Sequence, residues 1–492
     1  MTAQAQKMEQ QKKPKTAITP TREENFPEWY QSVVKSADMA ENAQVPGCIV
    51  FKPYGYALWE NIQRALDDMI KDAGVQNAYF PLLIPLSFIS REAQHVDGFA
   101  KECAVVTHHR LEKGPKGALI PAPDSKLEEP FIIRPTSETI IGDSMSKWVQ
   151  SYRDLPLKLN QWCNVMRWEM RPRVFLRTRE FLWQEGHNAF ETAQEAHDDA
   201  MKMLKIYQRF YEDFMAIPGL PGEKTPDERF PGANNTYTYE SMMQDGKALQ
   251  SCTSHDLGQN FAHSCNIQFQ GRDGQQHHAY TTSWGLSTRS VGGLIMTHAD
   301  DDGMIMPPKV APYQVAILPV VKDDPTPVFA VCEKLASQLK AKGIRVHLDM
   351  SDRRTPDKMW DAIKKGIPLR VEIGAREAEA GQVTHVRRDI GKDSKETCGA
   401  EEFVNKAQGL LEAIQKGLLV RAQAFQNSHI FDVKSVGEVR EFYKADKTGF
   451  VRMDTALLSD PGFEAVKKEF SLTPRCLPFA DEGRKVIVGK SY

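Results

Sequence analysis

The stretch RWEMRPRVFLRTREFLWQE, residues 167–185, decides how the rest of the chain is read. Between 167 and 181 it carries five arginines (167, 171, 173, 177 and 179) against two acids, Glu169 and Glu180. Residues two apart on a strand share a face, so Arg167 and Glu169 are expected side by side. An arginine fork meets phosphate or carboxylate through two parallel hydrogen bonds. The basic loop then returns to Phe181, whose ring can stack on a base. Arginine fork, cationic loop and aromatic ring together fit a bound nucleotide. For an arbitrary Arg-x-Glu, a solvated, charge-paired hairpin explains the same residues, so the stretch needs company.

Two other stretches supply it. In SWGLSTRSVGG (283–293) a strand of small residues runs into Arg289, which opens an apolar, glycine-rich helix. Small residues let a ligand approach the backbone closely. Upstream, YALWENIQRALDDMIKDAG (56–74) places Leu58, Ile62, Ala65, Leu66, Met69 and Ala73 at helical spacing, with Gly74 suited to the C-cap. The apolar run 78–84 follows, and Pro81 within it points to an edge or interface strand.

The chain has 492 residues, a net charge of −2 and 41% hydrophobic residues. That length implies roughly three domains, and the composition excludes a disordered or collagen-like chain. No run of about 18 apolar residues occurs, so no membrane-spanning helix is expected. The polar, lysine-rich N-terminus lacks the apolar core of a signal peptide, which points to the cytoplasm. Eight cysteines without a Cys-x-x-Cys pair read as reduced thiols, not a disulfide scaffold. A net charge near zero means that any nucleic-acid contact must come from local patches.

The expected fold class is mixed α+β and α/β in several domains. Residues 1–24 read as a flexible tail. A domain over 25–308 gathers strands at 132–133, 162–168, 181–183 and 281–284 through long insertions, which favours an antiparallel sheet. The segment 112–128, rich in Gly, Pro and Lys, reads as a surface loop. After Pro307 and Pro308 the period changes. Strand 315–321, helix 328–343, strand 344–348, helix 357–365 and strand 369–373 make a βαβαβ domain over 309–410. Residues 411–492 form a small α+β domain.

In order, the three stretches resemble the signature motifs of class II aminoacyl-tRNA synthetases. The middle one fits RxE, loop, Arg-x-x-x-Phe-x-x-x-Glu at Arg167, Glu169, Arg177, Phe181 and Glu185. Longer strings, RPTSETIIGD (134–143), SYRDLPLKLNQWCNVMRWEM (151–170), FLRTREFLWQEGH (175–187) and TSHDLGQNF (253–261), resemble the prolyl-tRNA synthetase family of the archaeal and eukaryotic-like type. The likeness continues through the βαβαβ segment, which resembles the class II anticodon-binding domain, to the C-terminal GKSY.

The resemblance implies an ATP-dependent ligase that joins L-proline to tRNA(Pro) through a prolyl-adenylate. It implies that Arg167 and Arg289 are the catalytic cations. Thr136 and Glu138 would hold the imino nitrogen of proline, with Phe99, Trp183, Glu185, His187 and His255 lining that pocket. Arg167, Glu169, Arg177, Thr178, Phe181, Gln250, Thr253, Ser287 and Arg289 would hold ATP, and Mg²⁺ would enter mostly on the phosphates. The helix and Pro81 strand of the first motif imply a homodimer. An alternative is a catalytically retired paralogue that binds tRNA or a protein partner.

Some positions depart from the family. Cys252, in QSCTSH, stands where a small residue is expected and either tightens the ATP site or exposes a thiol. The last domain of many relatives carries four zinc-binding cysteines as two pairs; here only Cys476 stands nearby, and one thiolate cannot make a four-coordinate structural site, so no structural zinc is expected. Ile363 replaces the acid thought to read a guanine of the anticodon. Arg370 is retained, Asp361 could substitute, and Lys358 belongs to a basic patch that could meet tRNA phosphates. The span from Glu185 to Gly285 leaves no room for the editing domain of bacterial-type relatives.

Overall fold

The computed structural model describes residues 16–91, 102–115, 117–321 and 324–492. The chain divides into two compact units: residues up to 41 with 51–61 and 294–420, and residues 42–50 with 62–293 and 421–492. This differs from three successive domains, because the C-terminal residues belong to the same unit as the central antiparallel sheet.

That sheet has eleven strands. In spatial order they are Ile430–Asp432, Phe450–Asp454, Lys485–Gly489, Thr473–Pro478, Leu220–Glu223, Asn235–Met242, Ala248–Gly258, Tyr280–Ser287, Glu180–Phe190, Leu157–Met166 and Gln76–Asn77. All neighbours are antiparallel except the two outermost pairs. The long helix Ala193–Asp213 packs one face, burying Ala196, Ala200, Met203, Leu204, Tyr207 and Phe210 at 3.6-residue spacing. Its start is fixed by a capping box between Thr192 and Glu195. The opposite face is left for a cavity. At Gly222 the C-terminal strands join Leu220–Glu223, and a Cβ there would lie 2.5 Å from Leu477 O. Backbone approach this close requires glycine.

A three-stranded sheet of Leu83–Pro85, Lys126–Ile133 and Ala104–His108 belongs to the same unit. The expected strand over 78–84 is corrected here: strands occupy Gln76–Asn77 and Leu83–Pro85, and Pro81 lies in the irregular segment between them. Proline cannot donate to a ladder. The segment expected as a loop over 112–128 is also corrected. Leu111–Lys113 and Leu119–Pro121 pair as a short hairpin.

In the other unit, the five-stranded sheet runs Val346–Leu348, Val315–Val320, Leu369–Gly374, Gln382–Arg387 and Glu396–Gly399. The first three are parallel, as βαβαβ reading requires, and the last two add an antiparallel edge. The tail expectation over 1–24 is corrected for residues 16–24. Ile18 is buried, its N–H donates to Asp301 O at 2.8 Å, and Arg22 N donates to Asp301 Oδ1 at 2.8 Å. Among the described residues no helix is long and apolar enough to cross a membrane.

Candidate active site

Strand register builds the site. In the central sheet Trp183 pairs with Ser287, Glu185 with Gly285, and His187 with Ser283. Across the next ladder Gly285 pairs with Thr253 and Ser283 with His255, which in turn pairs with Thr236. Alternate residues share a face, so this period-2 set stands on one side of the sheet. It lines a cavity of about 300 Å³ together with Thr136, Glu138, Arg167, Phe181, Gln250 and Arg289.

Charge is arranged along this floor. Glu185 is buried and accepts from Ser137 Oγ, from Gln161 Nε2 at 3.0 Å and from His187 Nε2 at 2.9 Å. Burial pushes its carboxyl up, but His187, Ser137 and Gln161 pull harder, and the net shift is downward. Burial pushes His187 down, Glu185 raises it, and the net shift is upward. When His187 is protonated, the two form a buried ion pair. His255 behaves oppositely: burial, with His187⁺ nearby, pushes it down to about 3, so the ring is neutral. Its Nδ1 lies 3.0 Å from Thr236 Oγ1, and Phe230 packs on it at 4.6 Å.

The two central arginines sit at the ends of strands. Arg167 follows the strand Leu157–Met166, donates from Nε to Pro135 O at 3.0 Å, and lies 5.5 and 5.4 Å from the rings of Phe181 and Trp183. Burial lowers its pKa while Glu138, Glu185 and Glu102 raise it, leaving a net lowering. Arg289 begins the helix Arg289–His298, and its N–H donates to Ser287 Oγ at 3.2 Å. Burial, Arg177 and Arg167 hold it down to about 10, which leaves it cationic at neutral pH. Gly293 on this helix lets Leu249 approach, since a Cβ would meet Leu249 Cδ2 at 2.7 Å. Thr136 donates to Glu138 at the start of the helix Glu138–Trp148. The loop before it is anchored by fully buried Arg134, which donates to Phe80 O at 2.7 Å and Asn164 O at 2.8 Å.

Several expectations change. Arg167 and Glu169 do not share a strand face, because the strand stops at Met166 and Glu169 N turns back to Arg167 O at 2.6 Å. Glu169, Arg177 and Thr178 are not among the cavity-lining residues. Arg177 lies 3.9 Å from Glu169 Oε2 and donates to Tyr492 O at 3.3 Å, while Thr178 donates to Glu180 O at 2.6 Å. Phe99 lies outside the described residues. Cys252 lines the cavity but is buried; burial and Glu240 raise its thiol well above the ordinary range, so the exposed-thiol reading is withdrawn.

Cavity residues outside the quoted motifs include Glu228, Arg229, Phe230, Thr236 and Ser251, while Ser283 opens the third motif without having been assigned a role. Phe230 sits in the loop DERFPGANN, which carries no spacing signal, whereas Thr236 and Ser283 follow from strand register once the pairing is known.

The anticodon expectations fare differently. Lys358 is buried and donates from Nζ to the carbonyls of Asp349 and Ser351, which corrects its assignment to a surface patch. Asp361 is held by Lys365 at 3.0 Å and Arg353 at 3.5 Å, and Arg370 pairs with Glu372 at 2.9 Å.

Comparison with known proteins agrees with this architecture. The tRNA synthetase class II core domain (G, H, P, S and T) matches residues 122–298, and an anticodon binding domain matches 314–410. A proline–tRNA ligase of Protochlamydia amoebophila is 52% identical over 96% of this chain and 95% of that one. Proline–tRNA ligases of Akkermansia muciniphila (51% identical, 95% of each chain) and Bdellovibrio bacteriovorus (50% identical, 96% of this chain and 97% of that one) are similar. With half of all positions shared along nearly the whole length, the chain belongs to the proline–tRNA ligase family of class II synthetases.

Proposed function

We propose that the chain activates L-proline with ATP and transfers it to tRNA(Pro). The observation that carries this is one cavity combining Thr136, Glu138, Glu185, His187 and His255 with Arg167 and Arg289. A secondary ammonium needs a carboxylate partner, and Glu138, placed by Thr136, supplies it. The buried Glu185–His187 pair stiffens that wall, while neutral His255, Phe230 and Trp183 supply apolar surface for the ring.

The first step brings two anions together. The proline carboxylate attacks the α-phosphorus in line, the bond to pyrophosphate breaks, and no general base is needed because the attacking group is already ionised. Arg167 lies where it can bridge carboxylate and α-phosphate, and Arg289 faces the cavity from the helix start. Fixed cations in a low-dielectric site stabilise charge that builds in the transition state without reorganising. Mg²⁺, held mostly through the phosphates of ATP, would neutralise part of their charge. In the second step a terminal hydroxyl of tRNA attacks the prolyl carbonyl and AMP leaves.

Of the loop residues assigned to ATP, Glu169, Arg177 and Thr178, Arg177 acts electrostatically on Arg289 of the cavity. The exposed side chains of Tyr79, Leu83, Leu86, Val105 and Trp148 offer an apolar surface for a second copy, which supports a homodimer. Eight free cysteines suit a reducing cytoplasm. The relatives lend no support to a retired paralogue.

Proline-dependent exchange of pyrophosphate into ATP tests this directly, with threonine, serine and alanine in parallel. Exchange with proline well above the others is expected. A folded sample that binds tRNA but shows no exchange with any amino acid would overturn the reading.

A further inference from the structure

The five-stranded sheet ends on the ribbon Gln382–Arg387 and Glu396–Gly399. His385 stands directly across from Glu396, and Cys398 follows two residues further on that strand. Residues two apart share a face, so imidazole, carboxylate and thiol converge. One ligand atom from each lies within 4.8 Å of the others. His385 and Cys398 are buried, whereas Glu396 is exposed and can adjust.

The second observation concerns His385 itself. It is 1% exposed, yet neither ring nitrogen makes a hydrogen bond. It faces the Glu396 carboxylate, with Nε2 and Oε2 3.5 Å apart. Buried polar groups in native proteins nearly always find a partner. Phe403 packs against the ring at 5.1 Å and limits where it can turn. Burial and the Lys406 charge lower its pKa, so it is neutral at pH 7, the form that binds metals.

Lys406 supplies positive charge at this ribbon. Its Nζ lies 2.6 Å from Glu396 Oε1 and 3.6 Å from Glu402 Oε1. Its side chain is 24% exposed, so it can move toward Glu402 and solvent without unfolding anything.

We propose that His385, Glu396 and Cys398 form a site for one divalent transition metal of the zinc class, with Lys406 as the cation the metal displaces. Imidazole, thiolate and carboxylate are the ligands zinc takes, and three protein ligands leave a fourth position for water. On binding, the Cys398 thiol gives its proton to solvent and a metal–sulfur bond forms; no electron is transferred. The metal ties the edge strand Glu396–Gly399 to its neighbour Gln382–Arg387. This site is separate from the C-terminal segment, where the lone Cys476 gave no reason to expect zinc. It is equally illegible from spacing, because the ligands meet only through strand register.

Cobalt is the probe. The full-length chain, stripped with a chelator, is titrated with Co²⁺ and its near-ultraviolet thiolate-to-cobalt absorption is followed. One equivalent bound with that band is expected. Cys398→Ser should remove the band, and His385→Phe, which keeps the packing against Phe403, should weaken binding by about tenfold or more. Lys406→Met should tighten binding by about tenfold, since it removes the competing charge. No band in the parent chain, a band undiminished by Cys398→Ser, or affinity unchanged or lowered in Lys406→Met would each overturn the proposal. The Lys406 arm answers even where a ligand variant folds poorly.

Discussion

Arg475 donates through Nε and Nη2, at 3.0 and 2.7 Å, to one oxygen of Glu240, a fully buried carboxylate 235 residues earlier in the chain. The other oxygen accepts from Lys224 at 2.7 Å and from Thr238 at 2.9 Å. Removing one partner of a buried ionic group is far costlier than the net worth of the contact. Arg475→Met should therefore destabilise the chain by about 3 kcal/mol in urea unfolding near pH 7.

The pH dependence of that loss has a definite sign. Burial raises the Glu240 carboxyl, but Lys224 and Arg475 overcome it and bring it from 4.5 to about 2. A carboxyl with a depressed folded value contributes stability above its ordinary value and loses it as pH falls through the folded one. The gap between parent and Arg475→Met should be full above pH 4.5 and shrink steadily toward pH 2. A gap that grows on acidification would mean that Arg475 acts through something other than Glu240.

The contrast between this triad and the cavity shows what the sequence makes legible. Arg167, Phe181 and Glu185 lie within one short stretch, and their spacing survives with Arg167 opening the loop after one strand and Phe181 and Glu185 on the next. The alternation Trp183, Glu185, His187 is a period-2 signal that fixes a face without tertiary knowledge. Glu240 and Arg475 carry no such signal, since nothing local says which arginine meets which acid. Lys358 shows the converse error. Its charge suggested a surface, but Met359 and Ala362 pack on the core and that helix face turns inward, taking Lys358 with it.

The burial of Lys358 has its own consequence. Its Nζ satisfies the carbonyls of Asp349 and Ser351, and carbonyls left unpaired in the interior cost roughly 1–3 kcal/mol. Lys358→Met should lower the melting temperature while leaving the KM for tRNA within about twofold, because a phosphate contact is not being removed. A large rise in that KM with unchanged stability would restore Lys358 to the tRNA surface.

Proline affinity should titrate through the Glu185–His187 pair. His187 is raised above 6.5 and Glu185 lowered below 4.5, each mainly against burial and by virtue of the other. The His187 contribution is complete below 6.5 and is lost as pH rises through its higher folded value; the Glu185 contribution is complete above 4.5 and is lost as pH falls through its lower one. The KM for proline in pyrophosphate exchange should thus be flat between pH 4.5 and 6.5 and rise on the alkaline side. His187→Asn, which cannot titrate, should remove the alkaline rise while raising KM throughout.

Two glycines in facing strands separate stability from binding. Gly186 pairs with Trp284, and a Cβ on it would fall 2.1 Å from the indole, which is 1% exposed and packed edge-on against Tyr207 at 6.3 Å. The ring has nowhere to go, so Gly186→Ala should cost about 3 kcal/mol or more, or prevent folding. Gly285 pairs with Glu185 and points to the opposite face. A Cβ there would meet Gln184 O at 3.2 Å and the cavity-lining Trp183 ring at 4.0 Å, and otherwise enters the cavity. Gly285→Ala should cost about 1 kcal/mol of stability, yet raise the KM for proline or ATP sharply. If both variants were equally unstable, or if Gly285→Ala left exchange kinetics untouched, the assignment of that face of the sheet to the substrates would fall.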